Sequence, residues 1–228
     1  MATITISRQY GSSGDEIAAR VCDMLGYRYF DKTLMAQMIA ESGLTDSEIV
    51  DFSEDNYKVR GFLDRLMAWR GPRELSYVSS WKEDTGGVRT REMNILSEAQ
   101  GIALVQAAIR KVYQQGNVVI VGRGGQVILK GLPGVLHVRI QAPLEVRFQH
   151  IATTDKIHYM GLRKEIVEHD EAAADYLKRF YDIDWADATL YDLVINTTRL
   201  SVESSAQMIV DAVKNLPMPE TAEQKNTA

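Results

Sequence analysis

Short apolar runs that predict β-strands alternate with segments whose apolar residues recur at helical spacing. Ala2–Ser7 is rich in β-branched residues and predicts the first strand. A helical pattern follows it and ends at Gly26, a residue suited to a helix C-terminus. The other predicted strands are Tyr27–Phe30, Val118–Val121, Leu136–Ile140 and Leu193–Ile195. Five strands alternating with helices predict an α/β fold, with a parallel sheet that has helices on both faces.

The segment between the second and third strands does not follow this alternation, so we interpret residues 44–94 as a helical insertion in a single domain of residues 1–216. A helix predicted at 34–39 ends at Gly43, and another lies between Thr45 and Gly71. Polar and Gly residues between Gly71 and Arg89 predict a loop. Long helices are predicted at 95–113 and 202–213, and Pro143 opens a further one. Residues 217–228 are short of apolar residues and predict a disordered tail.

Composition narrows the classes of function. The 228 residues carry a net charge of −5, which disfavours binding to nucleic acid or to an anionic membrane. Cys22, the single cysteine, falls in a helical pattern and is interpreted as core. No cationic, apolar leader precedes the first strand, so we expect a cytoplasmic protein. The four histidines lack zinc spacing, no metal ligand is predicted, and the Gly-x-Ser-x-Gly pattern of many hydrolases is absent.

The loop after the first strand is the main candidate for a ligand site. A strand that leads through a Gly/Ser loop into a helix directs backbone N–H groups and the positive helix end at one point, which favours an anion. The usual phosphate loop adds a lysine, which this chain lacks. Arg8 is the candidate substitute cation, whereas Asp15 and Glu16 would repel a triphosphate. The predicted phosphate contacts are Ser7, Arg8, Gly11, Ser12, Ser13 and Gly14. The alternative is a βα turn without a ligand.

Two other polar clusters follow predicted strands and should reach the same edge of the sheet. Gly122-Arg123-Gly124-Gly125 combines glycines, which allow close approach of a ligand, with an arginine that can bind a phosphate or carboxylate. A structural ion pair is the other reading of Arg123. Asp31 is suited to bind a substrate hydroxyl or base, or to cap a helix.

A polar helical segment near residues 153–182 is a candidate lid. Lys178 and Arg179 would lie over a phosphoryl group if this helix closes on the site, whereas a solvated helix face is the simpler interpretation.

Four motifs, in order, resemble the cytidylate kinase-like family of the P-loop nucleoside monophosphate kinases. They are Ile4–Gly14, Leu25-Gly26 with Tyr29-Phe30-Asp31, Val121–Gly125, and Tyr191–Asn196. The resemblance implies a five-stranded parallel sheet, a helical lid, ATP with Mg²⁺, and a nucleoside monophosphate acceptor. It also implies acceptor contacts from Asp31, Gly122, Arg123 and Asp170. Because the lysine is absent, Arg8 as its substitute and Arg123 are the predicted catalytic residues.

The chain departs from the kinase pattern at several of these positions. Gly14 stands where the kinases carry lysine and Glu16 where they carry threonine. The predicted lid has few arginines. One hypothesis is therefore a kinase that moves a phosphoryl group from ATP to a nucleoside monophosphate or another small phosphorylated or hydroxylated acceptor. The other is a catalytically inactive nucleotide-binding or interaction protein that retains the fold. The inserted segment would reshape the acceptor pocket or form a homodimer contact.

Overall fold

The computed structural model describes residues 1–31, 34–35, 76–83, 89–96, 98–154 and 161–216. The strands are β1 (Thr3–Arg8), β2 (Arg28–Phe30), β3 (Ser76–Glu83), β4 (Arg89–Leu96), β5 (Val118–Val121), β6 (Val135–Gln141) and β7 (Leu193–Asn196). The helices are α1 (Gly14–Leu25), α2 (Glu98–Gln115), α3 (Gly125–Ile128), α4 (Leu144–Thr154), α5 (Leu162–Tyr181) and α6 (Val202–Lys214), and a 3₁₀ turn spans Ala188–Leu190.

Five strands form one parallel sheet in the order β2-β5-β1-β6-β7. The prediction of a five-stranded parallel sheet is confirmed. Strand β1 is central, with β5 on one side and β6 on the other. The chain leaves β1 toward β2 on the β5 side and leaves β6 toward β7 on the opposite side, so the connections diverge between β1 and β6. In a parallel sheet this arrangement opens a crevice at the carboxyl end of the central strand. The loop after β1 lies at that point.

The two faces of the sheet bury different cores. One face of β1 carries Ile4 and Ile6, both fully buried, which pack with apolar residues of α1 and α6. The other face carries Thr5 and Ser7, and the neighbouring positions on β6 are His137 and Arg139. All four of these side chains are buried. The second face therefore brings polar groups close to the end of the central strand.

Residues 76–83 and 89–96 form strands, which corrects the prediction of a loop between Gly71 and Arg89, while the predicted helical insertion of residues 44–94 stays a prediction outside these strands. Strands β3 and β4 pair antiparallel from Ser76 opposite Leu96 to Glu83 opposite Arg89. The next helix begins at Glu98, because Ile95 still belongs to the hairpin. The predicted helix at 45–71, most of that at 34–39 and the tail at 217–228 lie outside the described residues.

Local signals placed several element ends correctly. Gly26 ends α1 with a φ of 65°, and its N–H donates to the carbonyl of Cys22. Gly116 follows α2 with the same φ. These are left-handed conformations, which glycine adopts without a Cβ penalty. Cys22 is buried and unpaired, as predicted.

Candidate phosphate-binding site

The loop between β1 and α1 has the backbone shape of an anion cradle. Gly11 and Ser13 have φ values of 77° and 61°, both left-handed, and α1 begins at the next residue, Gly14. Alternation of left-handed and ordinary residues turns successive N–H groups toward one point. The positive end of the α1 dipole adds to the same potential.

Each carbonyl oxygen from Gln9 to Ser13 accepts a hydrogen bond from the protein. The donors are Ser12 Oγ at 2.7 Å from the Gln9 oxygen, Arg147 Nη1 at 3.0 Å from Tyr10, His150 Nδ1 at 3.1 Å from Gly11, Thr197 Oγ1 at 3.1 Å from Ser12, and Ile17 N at 3.0 Å from Ser13. A loop whose carbonyl oxygens are occupied in this way presents its remaining polar groups, the N–H groups, to a ligand.

Several backbone N–H groups of the loop, unlike its carbonyl oxygens, are not hydrogen-bonded within the described part of the protein. Among the described residues, the backbone N–H groups of Gly11, Ser13 and Gly14 have no hydrogen-bond acceptor. The first N–H groups of a helix have no intrahelical acceptor, so α1 contributes donors by its geometry alone. Such N–H groups need water or a ligand oxygen as acceptor. The loop is therefore matched to an anion with several oxygens, such as a phosphate group.

The predicted substitute cation, Arg8, forms an ion pair with an acidic residue of the same loop. Its Nε donates to Asp15 Oδ1 at 3.1 Å, and the two side chains are 25% and 60% exposed. A Cβ added to Gly14 would lie 2.4 Å from Arg8 Cβ, so any residue with a side chain at position 14 would clash with the aliphatic part of Arg8. The guanidinium thus lies beside the start of α1.

Two of the predicted serine contacts have hydroxyls that are engaged elsewhere. Ser7 is buried and accepts a hydrogen bond from Trp185 Nε1 at 2.7 Å. Ser12 donates to the Gln9 carbonyl and is also buried. Their side chains hold the loop in shape, and the Ser12 N–H also donates to the Gln9 carbonyl at 3.2 Å, so a phosphate contact from Ser12 stays a prediction. The Ser13 hydroxyl lies 3.1 Å from His150 Nδ1.

The Gly122–Gly125 turn lies beside the phosphate loop, because the Gly122 N–H donates to the carbonyl of Ile6 at 2.9 Å. Arg123 is buried and has a φ of 63°, a left-handed value that costs a non-glycine residue about 1–3 kcal/mol. A Cβ on Gly124 would approach Tyr181 to 3.1 Å, so the turn packs against the end of α5. The sheet thus brings Arg123 to the same edge as Arg8.

Asp31 follows β2 and caps the chain that comes after it. Its Oδ1 accepts a hydrogen bond from the Leu34 N–H at 3.0 Å. This is the capping alternative that the sequence left open. A substrate contact from the second carboxylate oxygen stays a prediction.

Asp170, the predicted acceptor contact in the lid, is tied to the phosphate loop. It forms an ion pair with Arg147 at 2.8 Å and accepts a hydrogen bond from the Tyr10 N–H at 3.2 Å. Burial raises the pKa of Asp170, and the Arg147 charge and the Tyr10 hydrogen bond oppose that rise. The geometry gives this carboxylate a role in positioning the loop.

The basic residues at the end of α5 lie on the surface near the Gly122–Gly125 turn. Lys178 forms an ion pair with Asp182, and Arg179 stacks over the Phe180 ring at 5.5 Å. Their neighbours Leu177 and Tyr181 face Gly124. Contact of Lys178 or Arg179 with a phosphoryl group stays a prediction.

Three residues that hold the loop were missed as site residues. Arg147 is 5% exposed, yet α4 shows little in its sequence to mark it. His150 was considered only for zinc, and Thr197 not at all. One signal for Arg147 was available in the sequence. It lies one helical turn after Pro143, in the helix that follows a strand paired with β1.

The described residues contain neither a cluster suited to a metal ion nor a helix suited to span a membrane. Within the described ranges, no three His, Cys, Asp or Glu residues are grouped so that they could hold a metal ion. The helices of those ranges include none that is long and apolar enough to span a bilayer.

Comparisons with known proteins agree with this architecture. The model of the cytidylate kinase-like family matches residues 3–199. A cytidylate kinase of Methanocaldococcus jannaschii is 34% identical over 108 residues, which are 46% of this chain and 61% of that protein. The match thus spans less than two thirds of that relative's length.

Two solved structures share the fold. An uncharacterized protein from Eubacterium ventriosum has a TM-score of 0.61 at 15% identity, with coverage of 94% of this chain and 99% of that one. A gluconokinase from Sinorhizobium meliloti has a TM-score of 0.51 at 9% identity, with coverage of 94% of both chains. At these identities the likeness concerns the fold alone. Because the family model covers most of its length, the chain belongs to the cytidylate kinase-like family.

Proposed function

We propose that this protein is a phosphotransferase that moves a phosphoryl group from ATP to a nucleoside monophosphate or another small acceptor. The observation that carries the proposal is the loop of residues 9–13, whose carbonyl oxygens are all occupied while the N–H groups of Gly11, Ser13 and Gly14 have no acceptor among the described residues. Family membership and the archaeal cytidylate kinase relative support the same reaction class.

The donor phosphates would bind to the loop backbone. Phosphoryl transfer depends mainly on positioning and on charge neutralisation, so backbone N–H groups and well-placed arginines supply most of what the reaction needs. Arg8 would take over the role of the absent lysine after exchange of Asp15 for a phosphate oxygen. Asp15 is well exposed, and exposed ion pairs are worth only about 0–1 kcal/mol. Exchange of Asp15 for a phosphate oxygen at Arg8 therefore costs little free energy.

The acceptor would lie between the Gly122–Gly125 turn and Asp31. Arg123 would bind its phosphate or carboxylate with the forked guanidinium. Asp31 would bind a hydroxyl or base through the carboxylate oxygen that does not cap the following helix. Closure of α5, with Lys178 and Arg179 at its end, would exclude water from the transferred group.

The side chains at the loop can be compared with the ligands that a magnesium ion needs. Mg²⁺ prefers oxygen ligands and usually keeps several waters. Ser12 donates to Gln9, Ser13 contacts His150, and the described ranges contain no metal-binding cluster. These residues do not fit a site in which the protein itself holds the metal, so no step is assigned to it.

The decisive experiment measures ATP-dependent phosphorylation of a panel of nucleoside monophosphates and small hydroxylated acceptors. Arg8→Ala and Arg123→Ala should each reduce kcat/KM by about 100-fold or more, in line with loss of a group that stabilises transition-state charge. Arg20→Ala is the matched control, because Arg20 lies on α1 but pairs with Glu203 at the surface. Wild-type rates in Arg8→Ala would remove that residue from the mechanism.

A second candidate is a nucleotide-binding protein without turnover. The observation that favours it is the presence of two carboxylates, Asp15 and Glu16, in the first turn after the loop. A thermal-shift panel of nucleotides, with and without Mg²⁺, separates the two functions, because any ligand of the native state raises the melting temperature. Binding of ATP without phosphorylation of any acceptor would favour this candidate. The absence of any response would contradict both.

A further inference from the structure

Helix α4 packs one face directly on the phosphate loop. Arg147, His150 and Ile151 lie on that face, at the spacing of neighbouring residues along a helix. A Cβ on Gly11 would lie 2.6 Å from Ile151 Cδ1, which shows how closely the helix and loop approach. His150, 29% exposed, stands at the rim of this contact and is open to solvent on one side.

Each ring nitrogen of His150 faces an oxygen that can only accept a hydrogen bond, and the Ser13 hydroxyl, which can donate or accept, lies 3.1 Å from Nδ1 and 3.3 Å from Nε2. Nδ1 lies 3.1 Å from the Gly11 carbonyl oxygen, and Nε2 lies 3.2 Å from Glu16 Oε1. A neutral imidazole carries one N–H and satisfies only one of these acceptors, whereas the imidazolium satisfies both. The imidazolium is therefore the form that donates to the Gly11 carbonyl and to Glu16 at the same time.

Protonation of His150 changes the charge balance at the anion site. The first turn of α1 carries two carboxylates, Asp15 and Glu16, and Arg8 is a partner of Asp15. His150 is the described partner of Glu16, and it balances that charge only as imidazolium. These four groups then sum to zero. With a neutral imidazole the sum is −1, beside the N–H groups that would bind a phosphate.

We propose that His150 is a positioning residue of the phosphate site, which in its protonated form holds the Gly11 carbonyl and neutralises Glu16 so that the loop binds the polyphosphate of a nucleotide. The inference rests on the proposed function and adds proton-linked binding to it. Because anion binding then favours the imidazolium, nucleotide binding takes up a proton wherever the free protein carries a neutral imidazole at this position.

Other charged groups around His150 are accounted for by named partners. Glu145 pairs with Arg163, Arg147 with Asp170, and His169 stacks on Tyr10 at 4.4 Å while it faces Glu165. Of these, His169 is another imidazole beside the loop, so it requires a control.

The test is isothermal titration of the full chain with ATP in EDTA, at pH 6 and pH 8 and in buffers of different ionisation heats. Wild type should bind roughly tenfold more tightly at pH 6 than at pH 8 and take up protons on binding. His150→Gln should lose most of this difference. The terminal phosphate of ATP titrates as well, and comparison with His150→Gln removes that contribution.

Two further variants test whether the pH dependence comes from the pairing of His150 with Glu16. Glu16→Gln should raise affinity at pH 8 toward the wild-type value at pH 6, because it removes the charge that His150 balances. His169→Gln should retain the wild-type pH dependence. Melting temperatures identify any variant that fails to fold, and Glu16→Gln provides an independent reading if His150→Gln does so.

Two outcomes overturn the proposal. Equal pH dependence of ATP binding in wild type and His150→Gln contradicts the role of His150 and leaves the proposed kinase function intact. A lack of ATP binding by wild type at both pH values contradicts both.

Discussion

Arg147 Nη2 lies 2.8 Å from Asp170 Oδ2, and this ion pair joins α4 to α5 beneath the phosphate loop. The same two side chains bind both backbone polar groups of Tyr10: Arg147 donates to its carbonyl oxygen, and Asp170 accepts a hydrogen bond from its N–H. The loop is therefore fixed by a pair of charges from two helices. Movement of α5 as a lid would act directly on the loop through Asp170.

Replacement of one partner of this pair should destabilise the fold strongly. Arg147→Met leaves a buried carboxylate without its cation, and Asp170→Asn leaves a buried arginine without its anion. Each should lower the free energy of unfolding by about 3–5 kcal/mol, as measured by urea denaturation. The double variant should lose less than the sum of the two, and full additivity would show that the pair is not coupled.

Gly14→Ala should distort the phosphate loop. The new Cβ would lie 2.4 Å from Arg8 Cβ and 2.6 Å from Arg8 Cγ, so the arginine stem must move. We expect a loss of about 1–3 kcal/mol in stability and a clear loss of ATP affinity. Gly26→Ala is the control, because nothing lies within 4 Å of its Cβ and only its φ of 65° is strained. Equal ATP affinity in Gly14→Ala and wild type would contradict the loop assignment.

Asp15→Asn should strengthen ATP binding. The change releases Arg8 from its ion pair and removes one negative charge from the anion site. A severalfold lower Kd is expected, with a change in stability within about 0.5 kcal/mol because the pair is exposed. Asp23→Asn, on an exposed position of the same helix, should leave the Kd unchanged. A weaker affinity in Asp15→Asn would mean that Asp15 orients Arg8 productively.

His137 should make stability fall in mild acid. Burial lowers the pKa of His137 below its ordinary 6.5, against the opposing charge of Asp192. As pH falls below about 6.5, the unfolded chain binds a proton that the folded chain does not. Stability from this group is therefore present above that pH and is lost as pH falls from there to the lowered pKa of the folded state, at no more than about 1.4 kcal/mol per pH unit.

Urea denaturation of wild type and His137→Gln between pH 7 and pH 5 checks this expectation. Asp170 contributes in the opposite sense, because its raised pKa makes the folded state bind its proton more readily. The comparison of slopes isolates His137. Parallel slopes in the two proteins would exclude a buried neutral His137 as the cause.

Cys22 should be inert in the native state. Burial raises the pKa of its thiol to about 12, and only the thiolate reacts with disulfide reagents. Reaction with a coloured aromatic disulfide should be slow in buffer and fast in denaturant. Fast reaction in buffer would show that α1 separates readily from the sheet.

The hairpin of residues 76–96 shows where the sequence pattern was misread. Serines interrupt the aromatic and β-branched residues of Ser76–Glu83, and the Gly86-Gly87 pair was interpreted as part of a loop. The short alternation Met93-Asn94-Ile95 at the end of β4 was a signal for a strand. Its end was instead assigned to the following helix, because short apolar runs fit either structure.

By itself the sequence determined the five-stranded parallel sheet, the ends of α1 and α2 at Gly26 and Gly116, and a Gly/Ser loop that leads from β1 into a helix N-terminus. These follow from local chemistry: buried strands need continuous apolar runs, left-handed caps need glycine, and a helix N-terminus presents N–H groups wherever it occurs. Only the tertiary structure decided which charges meet at that loop. Arg147, His150 and Asp170 lie more than 130 residues from the loop along the chain. Their contacts depend on helix packing across the sheet, which no local pattern records.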